Sequence, residues 1–253
     1  MLLLKSVRSA LLLAALTVPT STLAAQALPS AEAVIAKHVA AVGGKEALKK
    51  LTSVRQVASM ELPSMGMTAE AEVTMGAPNR MTSKMTFPGI GEIVAGTDGQ
   101  VAWSLNPMQG PRLLADKELA QTLDQADFYG NLLYETDRFA SMTNEGIVDF
   151  AGEKAYKLKI VRKTSGLESW QYFSVASGLQ IGTESSMVTE MGTIQSSTKI
   201  SGYKDFGGLM FPTRTEMSAG PQTMIMTIKE VQLNSAGTDS FAIPATIQPL
   251  IKK

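Results

Sequence analysis

The stretch SVRQVASMELPSMGMTAEAEVTMGAPNRMTSKMTF, residues 53–87, decides the architecture. Its residue period is two. Val54, Ala58, Met60 and Leu62 alternate with Arg55, Val57, Ser59 and Glu61. Ala69, Ala71, Val73 and Met75 alternate with Thr68, Glu70, Glu72 and Thr74, and Met81, Ser83, Met85 and Phe87 alternate with Arg80, Thr82, Lys84 and Thr86. Successive strand side chains point to opposite faces, so these are half-buried antiparallel strands with one apolar and one wet face. The turns between them carry Gly66, Gly76-Ala77-Pro78-Asn79 and Pro88-Gly89.

Downstream, strands are expected over 92–97 and 100–105, joined at Asp98-Gly99, a hairpin signal. Asp116 is placed to cap a helix over 117–126, and 131–139 predicts a second short one. After Gly146 the two-residue period returns: Tyr156, Leu158 and Ile160 alternate with Lys157, Lys159 and Val161. Further strands are expected over 168–175, 180–187, 193–203, 212–217 and 223–233. Upstream, Ser30 can cap a helix that carries Glu32 in its first turn and the stripe Val34, Ile35, His38, Ala41 and Val42. Gly43-Gly44 stops it, and 45–51 forms one more short turn. The expectation is a mainly β fold with α: a helix, five strands, a helical insertion and six more strands. An antiparallel sheet of about eleven strands must curl. If it curls incompletely its apolar face lines a trough, and the helices are the only elements available to cover it.

Residues 1–27 carry an export signal. Lys5 and Arg8 form a basic start, 10–18 a short apolar run, and Ala25-Gln26-Ala27 a small-residue cleavage site, with Ala24 or Ala25 as alternatives. The run is too short for a hydrocarbon core needing roughly 20 residues. No linker breaks the remainder, so 28–253 is expected to be a single domain. With no cysteine to carry a lipid anchor, the expected location is the periplasm.

Composition excludes much. Lys+Arg 23 balances Asp+Glu 23, so no footprint for nucleic acid exists. Cys 0 removes disulfides, thiolate metal sites and cysteine nucleophiles, and His 1 rules out a multi-histidine zinc site. No G-x-S-x-G motif occurs, Gly89-Ile90-Gly91 lies between strands and lacks the third glycine, and Gly43-Gly44-Lys45 has the wrong spacing for a phosphate loop. Glu70 and Glu72 sit on a wet strand face, and Asp116, Glu118, Asp124 and Asp127 on the polar side of a helix. His38, on an apolar stripe, is structural. No catalysis and no cofactor or metal are expected.

What remains is the apolar strand face. Val73, Met75, Met81, Met85, Phe87, Trp103, Leu105, Leu158, Ile160, Met224, Met226 and Ile228 are expected to point inward. Either they meet each other in a dry core or they line a cavity for an alkyl or acyl chain; periodicity alone leaves both open. Met 15 is a high count, and this unbranched, polarizable side chain suits variable apolar ligands.

Several segments in order resemble the outer-membrane lipoprotein-sorting proteins, the family of the periplasmic carrier LolA. They are 33–38 with 42–48, Pro78-Asn79-Arg80-Met81, Thr97-Asp98-Gly99-Gln100-Val101-Ala102-Trp103, Asn106-Pro107-Met108-Gln109-Gly110, 125–128, 155–158, Gly208-Leu209-Met210-Phe211-Pro212, and Asp239-Ser240-Phe241 with Pro244. The resemblance implies an incomplete antiparallel β-barrel whose concave side is covered by helices, enclosing a cavity for lipid or for the acyl chains of a lipoprotein, with an inner- or outer-membrane transfer partner. It also implies a hinge or lid contact at 106–110. In the best-known carriers a strand arginine bonds to the helical lid; Arg55 and Arg80 match by residue type only, and both fall on the outward face. The alternative on the same fold is an envelope stress sensor or protein-interaction module.

Overall fold

The computed structural model describes residues 28–189 and 192–251; the export signal expected over 1–27 lies outside them. Ser30 caps α1 (Ala31–Ala41), its Oγ accepting from the Ala33 amide at 3.2 Å. A short α2 (Lys45–Leu48) follows. Then come β1 (Ser53–Leu62), β2 (Met67–Gly76), β3 (Arg80–Phe87), β4 (Gly91–Thr97), β5 (Ala102–Asn106) and β6 (Gly110–Leu113). The helical insertion is α3 (Asp116–Ala126) and α4 (Phe128–Leu133). The second run is β7 (Phe139–Phe150), β8 (Glu153–Arg162), β9 (Glu168–Ser174), β10 (Gln180–Thr189) and β11 (Gly192–Ser201), then the small β12 (Lys204–Phe206) and β13 (Leu209–Phe211). It closes with β14 (Arg214–Ala219), β15 (Gln222–Leu233) and α5 (Gln248–Ile251).

Thirteen strands form one antiparallel sheet in the order β6-β5-β4-β3-β2-β1-β15-β14-β11-β10-β9-β8-β7, and β12 pairs β13 separately. The edges β6 and β7 are not paired to each other, so the curled sheet is an open barrel. The expected eleven strands are corrected upward by β6, β7 and the β12–β13 hairpin. The helical insertion is corrected too. Ala115, not Asp116, occupies the N-cap of α3, with no side-chain hydrogen bond. Asp127 caps α4 by accepting from the Gly130 amide at 3.1 Å, Tyr134 ends it at φ 53°, and Phe139 already belongs to β7.

The register assigns the faces. Val54, Met75, Met81, Thr97 and Ala102 are cross-strand partners in one row, with Leu233 beside Val54. This concave face carries the main core, where Val34, Ile35 and Val39 of α1, Leu48, Leu51, and Phe128 and Leu133 of α4 pack with Val54, Leu158, Ile160 and Phe173. Leu209 and Phe211 of β13 join the same core.

Arg55, Thr74, Thr82, Gly96 and Trp103 share the opposite, convex row. Part of that face is covered by the segment after β15. Phe241 lies over Arg80, 4.7 Å from ring centroid to guanidinium, and leaves no room for a side chain at Gly76. Thr82 Oγ1 donates to the Ser240 carbonyl at 3.1 Å, α5 touches β6, and Ile247 is fully buried. Truncating a buried phenylalanine costs about 3–5 kcal/mol. Phe241→Ala is expected to lower unfolding free energy by that order in urea titrations; a loss below about 0.5 kcal/mol, the ordinary scale of a surface substitution, would show the segment to be loosely attached.

Candidate apolar-ligand site

The two ends of the concave face are built differently. At the Val54 end the helices seal it. His38 of α1 meets Phe173 of β9 at 5.1 Å and Tyr134 at 5.9 Å, ring to ring, and its Nδ1 sits 3.1 Å from the Gly178 carbonyl. Lys37 Nζ donates to the Val175 carbonyl at 2.5 Å, and Asn144 of β7 donates to the Pro29 carbonyl at 2.8 Å. These bonds fasten α1 to the β9–β10 turn and to the β7 edge. Tyr134 OH donates to Gln171 Oε1 at 2.6 Å, and Tyr129 OH to the Leu51 carbonyl at 3.0 Å. Arg162, at the end of β8, donates through Nη2 to Asn131 Oδ1 of α4 and places its guanidinium 4.7 Å from the Phe139 ring. It is a strand arginine that bonds to a helix of the insertion. Arg55 instead forks onto Glu72 at 2.9 and 2.6 Å on the convex face, and Arg80 donates to the Ala77 carbonyl.

Beneath these helices lies a small apolar cavity. A cavity of about 90 Å³ lies between Val54, Gln56, Val73 and Met75 of the sheet and Phe128 and Leu132 of α4. It has room for a few waters, and not for a long acyl chain. Leu158 and Ile160 are both 0% exposed in the packed core. A larger cleft of about 730 Å³ opens outside, between α1 and the α4–β7 connection. Its floor is Ile35, Val39, Leu133 and Met142, which belong to the core or pack against it, and its rim holds Glu32, Glu135 and Asp137.

At the other end, past the middle of β1, the apolar cluster is built from strand residues among the described residues. Ala58, Met60, Ala69 and Ala71 form a second apolar cluster with Met85, Phe87, Met224, Met226 and Ile228, all of them strand residues from β1, β2, β3 and β15. The last five are half-buried. Three hairpin tips stand at this end with exposed apolar side chains: Met65 at 56%, Ile90 at 45% and Met108 at 85%. The helix α3 touches β4 and β5 on one side and β10 on the other, so it spans the opening between the two halves of the sheet.

Of the residues expected to line a cavity, Val73, Met75, Met81, Met85, Phe87, Met224, Met226 and Ile228 share the concave face. Leu158 and Ile160 share it too but are sealed in the core. Trp103 and Leu105 are corrected: Trp103 pairs with Gly96 and Leu105 with Val94 and Pro111, rows that belong to the convex face. The segment 106–110, expected to contact the lid, is the tight β5–β6 turn, in which Met108 N donates to Asn106 Oδ1 at 2.9 Å. Asp124, expected on the wet side of its helix, is 6% exposed. Arg162 carried no sequence signal beyond closing an alternating strand.

No protein-family model matches the chain, and no curated protein matches it. Solved structures do. A LolA superfamily protein from Nitrosomonas europaea superposes with TM-score 0.58 at 12% identity, over 85% of this chain and 99% of that one. A DUF1329 family protein from Desulfovibrio piger gives 0.57 at 10% identity, over 86% and 99%. An outer membrane lipoprotein-sorting protein domain from Vibrio parahaemolyticus gives 0.54 at 10% identity, over 87% and 100%. The fold is that of the LolA superfamily. At such identities the likeness extends to the LolA-like backbone, an open antiparallel barrel with helices on its concave side, and the site must be argued from this chain's own residues.

Burial pushes His38 down from its ordinary value near 6.5 to about 4, against a smaller opposing effect of the Gly178 carbonyl. The unfolded chain therefore binds a proton between these values that the folded chain refuses, and stability rises with pH across that window. The His38 contribution is complete above about pH 6.5 and lost as pH falls toward about 4, so the urea midpoint should drop on acidification. In His38→Gln, which keeps a donor for Gly178 and does not titrate, that drop should shrink; an unchanged pH dependence would contradict the assignment.

Proposed function

We propose that this chain is an exported carrier of apolar chains, taking up lipid or the acyl chains of a lipoprotein on the concave face of its sheet. The observation that carries the reading is the cluster of Met85, Phe87, Met224, Met226 and Ile228 around Met60, a half-buried apolar surface to which, among the described residues, strands alone contribute. Isolated apolar side chains at a surface are ordinary, whereas a contiguous half-buried patch inside a concave sheet calls for an occupant. The Met-rich lining adapts to chains of different length. The exposed Met65, Ile90 and Met108 border the same end and give an apolar chain a route to a membrane or to a transfer partner there.

Affinity of the right order is available. Each buried methylene contributes about 0.8 kcal/mol, so ten of them supply roughly 8 kcal/mol, which as a net value corresponds to a micromolar dissociation constant. Reversible loading and unloading need a value of that order. The lid at the Val54 end is closed through Arg162 and Asn131, the kind of strand-to-helix bond that the resembling carriers use. A chain longer than the bare patch would lift α4 and enlarge the small cavity above Val73 and Met75. On this reading 28–253 acts as one domain in the periplasm, with no chemistry of its own.

Native mass spectrometry of delipidated protein offered palmitate or a triacylated peptide tests the proposal. Stoichiometric adducts are expected in the wild type and are expected to fall at least tenfold in Met85→Lys and Met226→Lys, while Lys84→Ala on the convex face binds normally. Folded wild type that takes no lipid, or a stable protein partner co-purifying in its place, would favour the interaction-module alternative.

A further inference from the structure

At the sealed end the β2–β3, β4–β5 and β8–β9 turns meet the α3–α4 junction around a polar cleft of about 340 Å³. The Pro78 carbonyl accepts from the Phe128 amide at 3.0 Å, and Asn79 Nδ2 donates to the Gly99 carbonyl at 3.2 Å, so two sheet turns are tied to each other and to α4. Two carboxylates line the cleft, Asp124 and Asp127. Their circumstances are opposite. Asp127 accepts from the Gly130 amide and lies 3.9 Å from both Arg138 Nε and Arg162 Nη1. Asp124 is 6% exposed, takes part in no described ion pair, and has a buried Oδ2 with no hydrogen-bond partner.

A buried carboxylate without a partner is costly, and its place adds to the cost. Asp124 stands in the last turn of α3, where the helix dipole disfavours negative charge. The remaining charges do not relieve it. Arg138 is shared among three carboxylates, at 3.9 Å from Asp127 and 3.8 Å from both Glu135 and Asp137. Among the described residues no cation pairs with Asp124, and Asp124 lines the cleft.

We propose that this cleft binds a primary ammonium group, held by the carboxylate of Asp124. The ligand class follows from the lining. An ammonium presents three donors and needs single acceptors, which a carboxylate and the polar turn groups can provide. A calcium ion takes 6–8 oxygen ligands, and with one of the two carboxylates already engaged by two guanidiniums the cleft cannot assemble such a set. Arg138, at the cleft with its side chain 46% exposed, is placed to meet an anionic group on the same ligand. The site is separate from the apolar patch and does not rest on the carrier reading.

Calorimetric titration with ethanolamine and phosphoethanolamine, neither of which has an apolar chain, tests this cleft alone. Saturable one-to-one binding is expected, weakened tenfold or more in Asp124→Asn, with no binding of tetramethylammonium, which has no N–H donor. The unliganded Asp124→Asn protein is expected to melt at or above the wild-type temperature, because an isosteric amide removes an uncompensated charge. Dihexanoyl phosphatidylethanolamine separates the sources: affinity tenfold above free ethanolamine identifies a lipid headgroup, equal affinity a free amine, and both keep the site. Amines that do not bind folded wild type, equal affinity in Asp124→Asn, a marked fall in its melting temperature, or saturation by calcium chloride in place of amines would each overturn the proposal.

Discussion

An antiparallel sheet that curls without closing has an apolar inner face that must be kept from water along its whole length. Here thirteen strands supply that face, and α1, α2, α4 and the β12–β13 hairpin supply side chains to the core packed on it. They bury the Val54 end and leave the Met60 end to strand residues alone. Burial of apolar area is the dominant favourable term in folding, so an inner face left half-open is a standing source of binding energy. Everything proposed about apolar ligands follows from this mismatch between the length of the trough and the reach of its cover.

The sealed end shows how the cover is held. Backbone carbonyls of Leu51, Pro78, Val175 and Gly178, which would otherwise face the seam between helix and strand, receive partners from Tyr129, Phe128, Lys37 and His38. Such seam bonds contribute about 1 kcal/mol each while matched, and cost more when one partner is lost. The Arg162–Asn131 bond differs because it crosses from the sheet to the one helix above the small cavity. At this seam Asp124 Oδ2 is the one buried carboxylate oxygen without a hydrogen-bond partner among the described residues.

Much of this was legible from residue period alone. The alternation over 53–87 placed Met75, Met81, Met85 and Phe87 on one face, and the register bears out that parity. It failed at β5, where Ala102, Trp103 and Leu105 make both faces apolar, so alternation carries no sign. Trp103 falls on the convex row, a face that the segment carrying Phe241 covers in part over Arg80 and Gly76, a long-range fact with no local trace. The strand β7 was missed where bulges at Phe139/Ser141 and Asn144/Gly146 break its period, and β6 because four residues with Pro111 at an edge resemble a loop. Asp124 looked like an ordinary polar position on a helix, since its burial comes from turns distant in sequence.

The account stands on the Met60 end being the bed of the apolar chain. The direct measurement is photolabelling of the folded protein with a fatty acid bearing a diazirine along its chain, followed by peptide mapping. Cross-links concentrated on Met85, Phe87, Met224 and Met226 are the predicted result. Labels confined to the convex face around Trp103 or Trp170, or spread evenly over the surface, would contradict it.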